Sequence, residues 1–249
     1  MTDEYTFERG YVVYPEADGD DRAAKAPFRA VPSSLIRPER YYSREEAERE
    51  SEKFWPKVWC WAGVTHDLQI VGDYFRFDVG RETFIVIRSA PDRIQAFYNV
   101  CPHRANFLVY DDLGSIPEGG SIYCKFHGWR FNLDGSVRDV KDRHTFPPEV
   151  LCGMKGLKEV RCEVWNSMIF INQDANAEPL VAALGVIPEH LANRDFARMK
   201  IYDEVSGIID ANWKTAIEAF IEFYHSDDTH PQVIPITSTL KTQYDLYDR

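Results

Sequence analysis

Two short stretches decide the reading of this chain: Cys101-Pro-His103-Arg104 and Cys124-Lys-Phe-His127-Gly-Trp129. Each closes an apolar run, Ile94-Gln-Ala-Phe-Tyr-Asn-Val100 before the first and Ser121-Ile-Tyr before the second. Each offers one thiol and one imidazole, donors suited to zinc and iron. Two matched pairs on neighbouring loops predict one four-ligand metal site. The plainer alternative is coincidence, with His103 and His127 as surface histidines.

The surrounding sequence has β texture from about residue 58 to 173. Thr83-Phe-Ile-Val-Ile-Arg88 and Ser167-Met-Ile-Phe-Ile-Asn172 are short, β-branched and aromatic, and are bounded by Gly, Asp and Pro. Asp134-Gly135, between Phe131-Asn-Leu133 and Ser136-Val-Arg138, is a strong hairpin signal. Ahead of this region, Ser43-Arg-Glu-Glu46 reads as a capping box opening a helix that stops near Pro56. Residues 1–41 read as an extended leader.

Composition sets outer bounds. The chain has 249 residues, 44% hydrophobic and 28% charged, which is globular. With 29 Lys+Arg against 40 Asp+Glu, its net charge is −11, a poor match to nucleic acid or an anionic membrane. No apolar run approaches a membrane span, and the acidic start lacks a signal-peptide pattern. Five cysteines, an odd number without an export signal, argue for a reducing compartment, so a cytoplasmic location is expected. Cys60, Cys152 and Cys162 read as buried apolar side chains.

Ligand identity leaves two metals open. Tetrahedral zinc accepts two cysteines and two histidines. A Rieske [2Fe–2S] centre places two cysteines on one iron and two histidines on the other. The order Cys-x-His then Cys-x-x-His differs from the zinc-finger order and suits the second arrangement.

A second constellation lies downstream, in Asn212-Trp-Lys214 and Glu218 through Glu222-Phe-Tyr-His225-Ser-Asp-Asp-Thr-His230-Pro231. Residues 212 to about 225 have helical spacing, which puts Glu222 and His225 on one helix face. His225 and His230, five apart, can face one metal only if the helix ends between them. Two histidines and a carboxylate are the donors of a non-haem iron facial triad. The alternatives are a helix-capping His225 beside a loop histidine, or a di-iron bundle, for which the second Glu-x-x-His helix is missing. Residues 174–200 read as linker and helix, and 201–211 as a strand.

Together these motifs resemble the α subunits of aromatic-ring-hydroxylating oxygenases over roughly residues 42–235. The resemblance includes Gly72-Asp-Tyr, Asn99-Val-Cys101 and the run from Cys124 to Gly135. The spacer 104–123 is a few residues longer than is usual there, with Asp111 to Gly120 as a turn-rich insertion. The resemblance implies an α+β chain: a leader (1–41), an antiparallel β Rieske domain with its N-terminal helix (42–175), and the beginning of an α+β, helix-grip-like catalytic domain (176–249). It implies a [2Fe–2S] cluster on Cys101, His103, Cys124 and His127, and a mononuclear Fe(II) on His225 and His230. Glu222 stands where the family carries an acid linking the two metal centres across subunits, commonly an aspartate. The third iron ligand belongs downstream; Asp245 and Asp248 stand too early.

The implied activity is O2-dependent hydroxylation or dealkylation of a small organic, aromatic-type substrate. Electrons would come from an NAD(P)H-dependent reductase or a ferredoxin. The implied assembly is a homotrimer or α3β3. The rival readings are a Rieske electron-transfer protein without an oxygenase site, and a zinc-stabilised binding module.

Overall fold

The computed structural model describes residues 6–8, 11–13, 35–153, 155–223 and 225–233. Most of the leader lies outside these residues, as do Asp245 and Asp248. The chain divides into two compact units, Arg44–Val205 and the pair Met1–Ser43 with Ser206–Arg249.

In the second of these, β1 (Thr6–Glu8) pairs antiparallel with β2 (Tyr11–Val13). The unit Arg44–Val205 opens with the helix Arg44–Lys53, closed by a 3-10 turn at Trp55–Lys57, where Pro56 ends the helical ladder. Its strands are β3 (Cys60–Val64), β4 (Asp73–Val79), β5 (Glu82–Ala90), β6 (Arg93–Tyr98), β7 (Leu113–Ser115), β8 (Ile122–Tyr123), β9 (Arg130–Phe131), β10 (Val137–Asp139), β11 (Glu159–Trp165) and β12 (Met168–Asn172). A seven-stranded antiparallel sheet runs in the order β3-β12-β11-β6-β5-β4-β7, and a small sheet in the order β10-β9-β8.

Strand β5 explains why the large sheet holds together. Phe84, Ile85, Val86 and Ile87 are all fully buried, so both faces of the strand are covered. Side chains alternate across a strand. Phe84 and Val86 join Leu68, Phe75, Ala96, Ile169 and Ile171 on one side. Ile85 and Ile87 join Phe97, Ile122, Trp129 and Phe131 on the other. The second core also contains Cys101 and Cys124, so the cluster loops are rooted in it rather than hung from the surface.

The Asp134-Gly135 turn forms as expected. Gly135 donates to the Asn132 carbonyl, and Asn132 to that of Ser136. Gly135 has φ +81°, and a Cβ there would stand 2.5 Å from the buried Phe97 ring, so two independent constraints demand glycine.

Three expectations need correction. The 111–120 insertion is not all turn: Leu113–Ser115 becomes β7 and pairs with β4, giving the large sheet an extra edge strand. Residues 201–209 form no strand; Tyr202, Val205 and Ile208 are almost fully exposed, with no neighbouring strand among the described residues to satisfy them. The expected helix 212–225 is only the six residues Trp213–Glu218, followed by irregular chain and a one-turn helix, Ser226–Thr229. Its apolar side chains explain this: Ile217, Phe220 and Ile221 are 51%, 87% and 66% exposed, and helices this short depend on packing.

Candidate metal centre

The two cluster loops are built to one plan. The Cys101 N–H donates to the Asn106 carbonyl, and the Ala105 N–H returns to the Cys101 carbonyl. In the second loop the Cys124 N–H donates to Trp129, and the Gly128 N–H returns to Cys124. Each loop therefore closes with bonds to the residues four and five beyond its cysteine. The residue at the fourth position is left-handed in both, Ala105 at φ 56° and Gly128 at φ 79°. Glycine takes this conformation freely, whereas alanine is held there against its preference.

Buried Asn99 fixes the first loop to the sheet. Its side chain accepts from the backbone N–H groups of Leu108 (3.0 Å) and Val109 (2.9 Å) and donates to the Val109 carbonyl (2.8 Å). The resemblance passed through this residue, but nothing in the sequence alone assigned it this role.

The four donors converge. The Cys101 and Cys124 thiols are buried and in contact, and burial pushes the Cys101 thiol up to about 11. The His103 and His127 rings meet edge to face with centroids 4.7 Å apart. Burial lowers the His103 pKa, with further push from His127 and Arg104, which favours the neutral, ligand-competent imidazole. Trp129 is 3% exposed and stacks on His103 at 4.6 Å and 6°, while Phe126 lies 4.0 Å from His127.

The decisive atoms are the two Nδ1 nitrogens. His103 Nδ1 and His127 Nδ1 are both buried, and neither has a hydrogen-bond partner. Buried polar atoms are almost always satisfied, so two orphans of one kind, on rings 4.7 Å apart, point to a shared partner. At the same time, no three His, Cys, Asp or Glu side chains close on a single ion among the described residues. A tetrahedral zinc site needs four. A dinuclear cluster needs only two protein donors per iron, and this set of two thiols and two orphaned imidazole nitrogens fits it.

Residues 58–160 match the Rieske [2Fe-2S] domain, and residues 191–247 match the ring-hydroxylating alpha subunit (catalytic domain). The chain belongs to the Rieske oxygenase α-subunit family. It is 28% identical over 200 residues to the carnitine monooxygenase oxygenase subunit of Escherichia coli (strain K12), covering 78% of this chain and 52% of that one. The crystal structure of a quaternary ammonium Rieske monooxygenase superposes with a TM-score of 0.70 at 28% identity, covering 79% of this chain and 54% of that one. Naphthalene 1,2-dioxygenase, as a mutant bound to phenanthrene, superposes with a TM-score of 0.65, also at 28% identity, over 77% of this chain and 44% of that one. The chain thus spans about half the length of the relatives it matches. A Rieske oxygenase α subunit carries a [2Fe–2S] cluster and a mononuclear iron.

The second constellation also comes together within its own unit. His225 and His230 flank the separate one-turn helix Ser226–Thr229, with their rings 5.4 Å apart, and the expected helix ends before both of them, at Glu218. Glu222 and His225 do not share a helix face, as the spacing had suggested. Glu222 instead reaches His225 through a turn. Its carboxylate accepts from the His225 backbone N–H at 3.1 Å and is hydrogen-bonded to the His225 Nδ1. A carboxylate on one ring nitrogen fixes the tautomer and leaves Nε2 for a metal.

Cys60 and Cys162 are half-buried in β3 and β11, and burial raises both thiols. The Cys152 side chain lies outside the described residues. No helix among the described residues is long and apolar enough to cross a membrane.

Proposed function

We propose that Cys101 and Cys124 hold one iron of a [2Fe–2S] cluster through their sulfurs, and that His103 and His127 hold the other through Nδ1. The single observation that carries this is the pair of buried, unpartnered Nδ1 atoms on two imidazole rings whose centroids lie 4.7 Å apart. His225 and His230 are proposed as ligands of the mononuclear iron. Glu222, held against His225, is proposed to couple the two centres across a subunit boundary.

When bound, the two groups supply one-electron transfer and O2 activation. The chain's own residues do the rest. The buried thiols and Nδ1 atoms sit in a desolvated pocket that excludes water from the donor atoms. Trp129 and Phe146 wall it, and Asn99 holds the first loop in place. Domain limits of 42–175 for the Rieske part and 176 onward for the catalytic part belong to the same reading.

The whole protein is proposed to be an oxygenase α subunit that takes electrons from an NAD(P)H-dependent reductase or a ferredoxin and works as a multimer, a homotrimer or α3β3. Its reaction is hydroxylation or dealkylation of a small organic compound. The relatives named for carnitine and quaternary ammonium compounds favour a cationic amine substrate, and naphthalene dioxygenase keeps an aromatic one as the second option. The match at 191–247 speaks against a bare electron-transfer protein.

The test is a His103→Cys variant. All-cysteine clusters lie roughly several hundred millivolts below Rieske clusters, so the midpoint potential should fall by that order while the colour persists. An unchanged potential removes His103 from the ligand set.

A further inference from the structure

We propose that Tyr41 and Arg40 are positioning residues for the iron-ligand segment, acting through Glu218. The inference rests on the assignment of His225 and His230 as iron ligands. Glu218 ends the helix Trp213–Glu218, seven residues before His225. Both of its carboxylate oxygens are taken by residues about 180 positions earlier in the chain. The Tyr41 hydroxyl donates to Oε2 at 2.6 Å, and Arg40 Nη2 donates to Oε1 at 3.0 Å.

Three features set this clamp apart from an ordinary surface ion pair. First, a carboxylate in the last turn of a helix opposes the helix dipole, so Glu218 is misplaced unless something else holds it. Second, the helix has six residues, too few to persist without tertiary anchoring. Ile217 near its end, and Phe220 and Ile221 just beyond it, are more than half exposed and supply little of that anchoring. Third, the Tyr41–Glu218 bond is partly buried although the Arg40 arm is exposed, and the neighbouring carboxylate raises the Tyr41 phenol above its usual pKa. A short, charge-assisted O–H···O⁻ bond is among the stronger ones a protein makes.

The clamp fixes where the helix stops. From that point the chain turns through residues 219–223, and His225 and His230 stand on either side of a single helical turn. Losing the clamp frees the helix end, and the spacing of the two imidazoles with it.

The test titrates Fe(II) into the purified chain under nitric oxide and reads the ferrous–nitrosyl EPR signal of the mononuclear site. Tyr41→Phe and Glu218→Gln should each raise the half-saturating Fe(II) concentration roughly tenfold, the low end of what outer partners of metal ligands contribute. They should also broaden the nitrosyl signal, which a loss of global stability would not do. The double variant should be no worse than Glu218→Gln alone, because that change already disrupts the Tyr41 bond along with the Arg40 pair. Tyr42→Phe is the control, since Tyr42 is 72% exposed and its hydroxyl reaches only Glu39, at 3.5 Å. The visible spectrum of the cluster reports in the same sample that the unit Arg44–Val205 is folded. A wild-type nitrosyl signal that Tyr41→Phe leaves unchanged, or additive single effects, overturns the clamp alone. A wild-type chain with no such signal overturns the iron-ligand assignment and the clamp together.

Discussion

The His103 imidazole lies flat on the Trp129 indole, with centroids 4.6 Å apart and planes 6° from parallel. Phe146 meets both rings edge-on, at 6.4 and 6.0 Å. His103, a proposed cluster ligand, is thus fixed by aromatic surface on one face, and its Nδ1 has no hydrogen-bond partner. Trp129→Leu should bleach the cluster several times faster in air and lower stability by about 2–3 kcal/mol, the range for truncating a large buried side chain. Absorbance decay and denaturant melts check the two effects separately. Unchanged bleaching would reduce Trp129 to packing alone.

Asn99 is the hinge between sheet and loop. In Asn99→Ala the buried N–H groups of Leu108 and Val109 lose their acceptor. Orphaned buried donors cost about 1–3 kcal/mol each, so a loss of about 2–4 kcal/mol is expected. Chemical denaturation measures it, and cluster occupancy on purification should fall in parallel.

The hairpin at Asp134 carries a pH signature. Its carboxylate accepts from the Ser136 hydroxyl at 2.6 Å and the Ser136 N–H at 2.9 Å, which holds its pKa below the ordinary carboxylate value. A lowered folded pKa means the unfolded chain binds the proton more readily, so this contribution is complete at neutral pH and lost as the pH falls through the folded value. Asp134→Asn should therefore be slightly less stable than wild type at pH 7, with the gap closing in acid. A gap that stays constant down the acid limb would show that the carboxylate's charge is irrelevant.

Much of this was legible in the sequence because it is local. The Asp134-Gly135 turn, the helix stopped at Pro56, and the β5 and β6 strands follow from turn chemistry and alternation. The Cys/His loops were legible as donors, and their spacing implied convergence. The exchanged bonds that shape the loops, the left-handed Ala105 and the Asn99 tie span only four to ten residues, yet they depend on a backbone conformation that no residue pattern in the two loops marks. The helix 212–225 misled for another reason: its apolar periodicity is present, but Phe220 and Ile221 are not buried among the described residues, and periodicity without burial does not hold a helix.

Iron content separates the two centres. Two of the proposed cluster donors, Cys101 and Cys124, lie in one well-buried core, whereas the proposed mononuclear site shows two histidines and a carboxylate turned onto His225. The purified chain should contain about two irons, as a [2Fe–2S] centre requires, with further iron binding only when added. A third iron that survives purification would mean that an additional carboxylate completes the second site within this chain.

The most direct measurement of the central assignment is pulsed EPR of the reduced chain grown with isotope-labelled histidine. Two inequivalent histidine nitrogen couplings to the cluster are expected, with one lost in His103→Cys and the other in His127→Cys. A cluster signal with no histidine nitrogen coupling, or a colourless chain holding zinc, would contradict it.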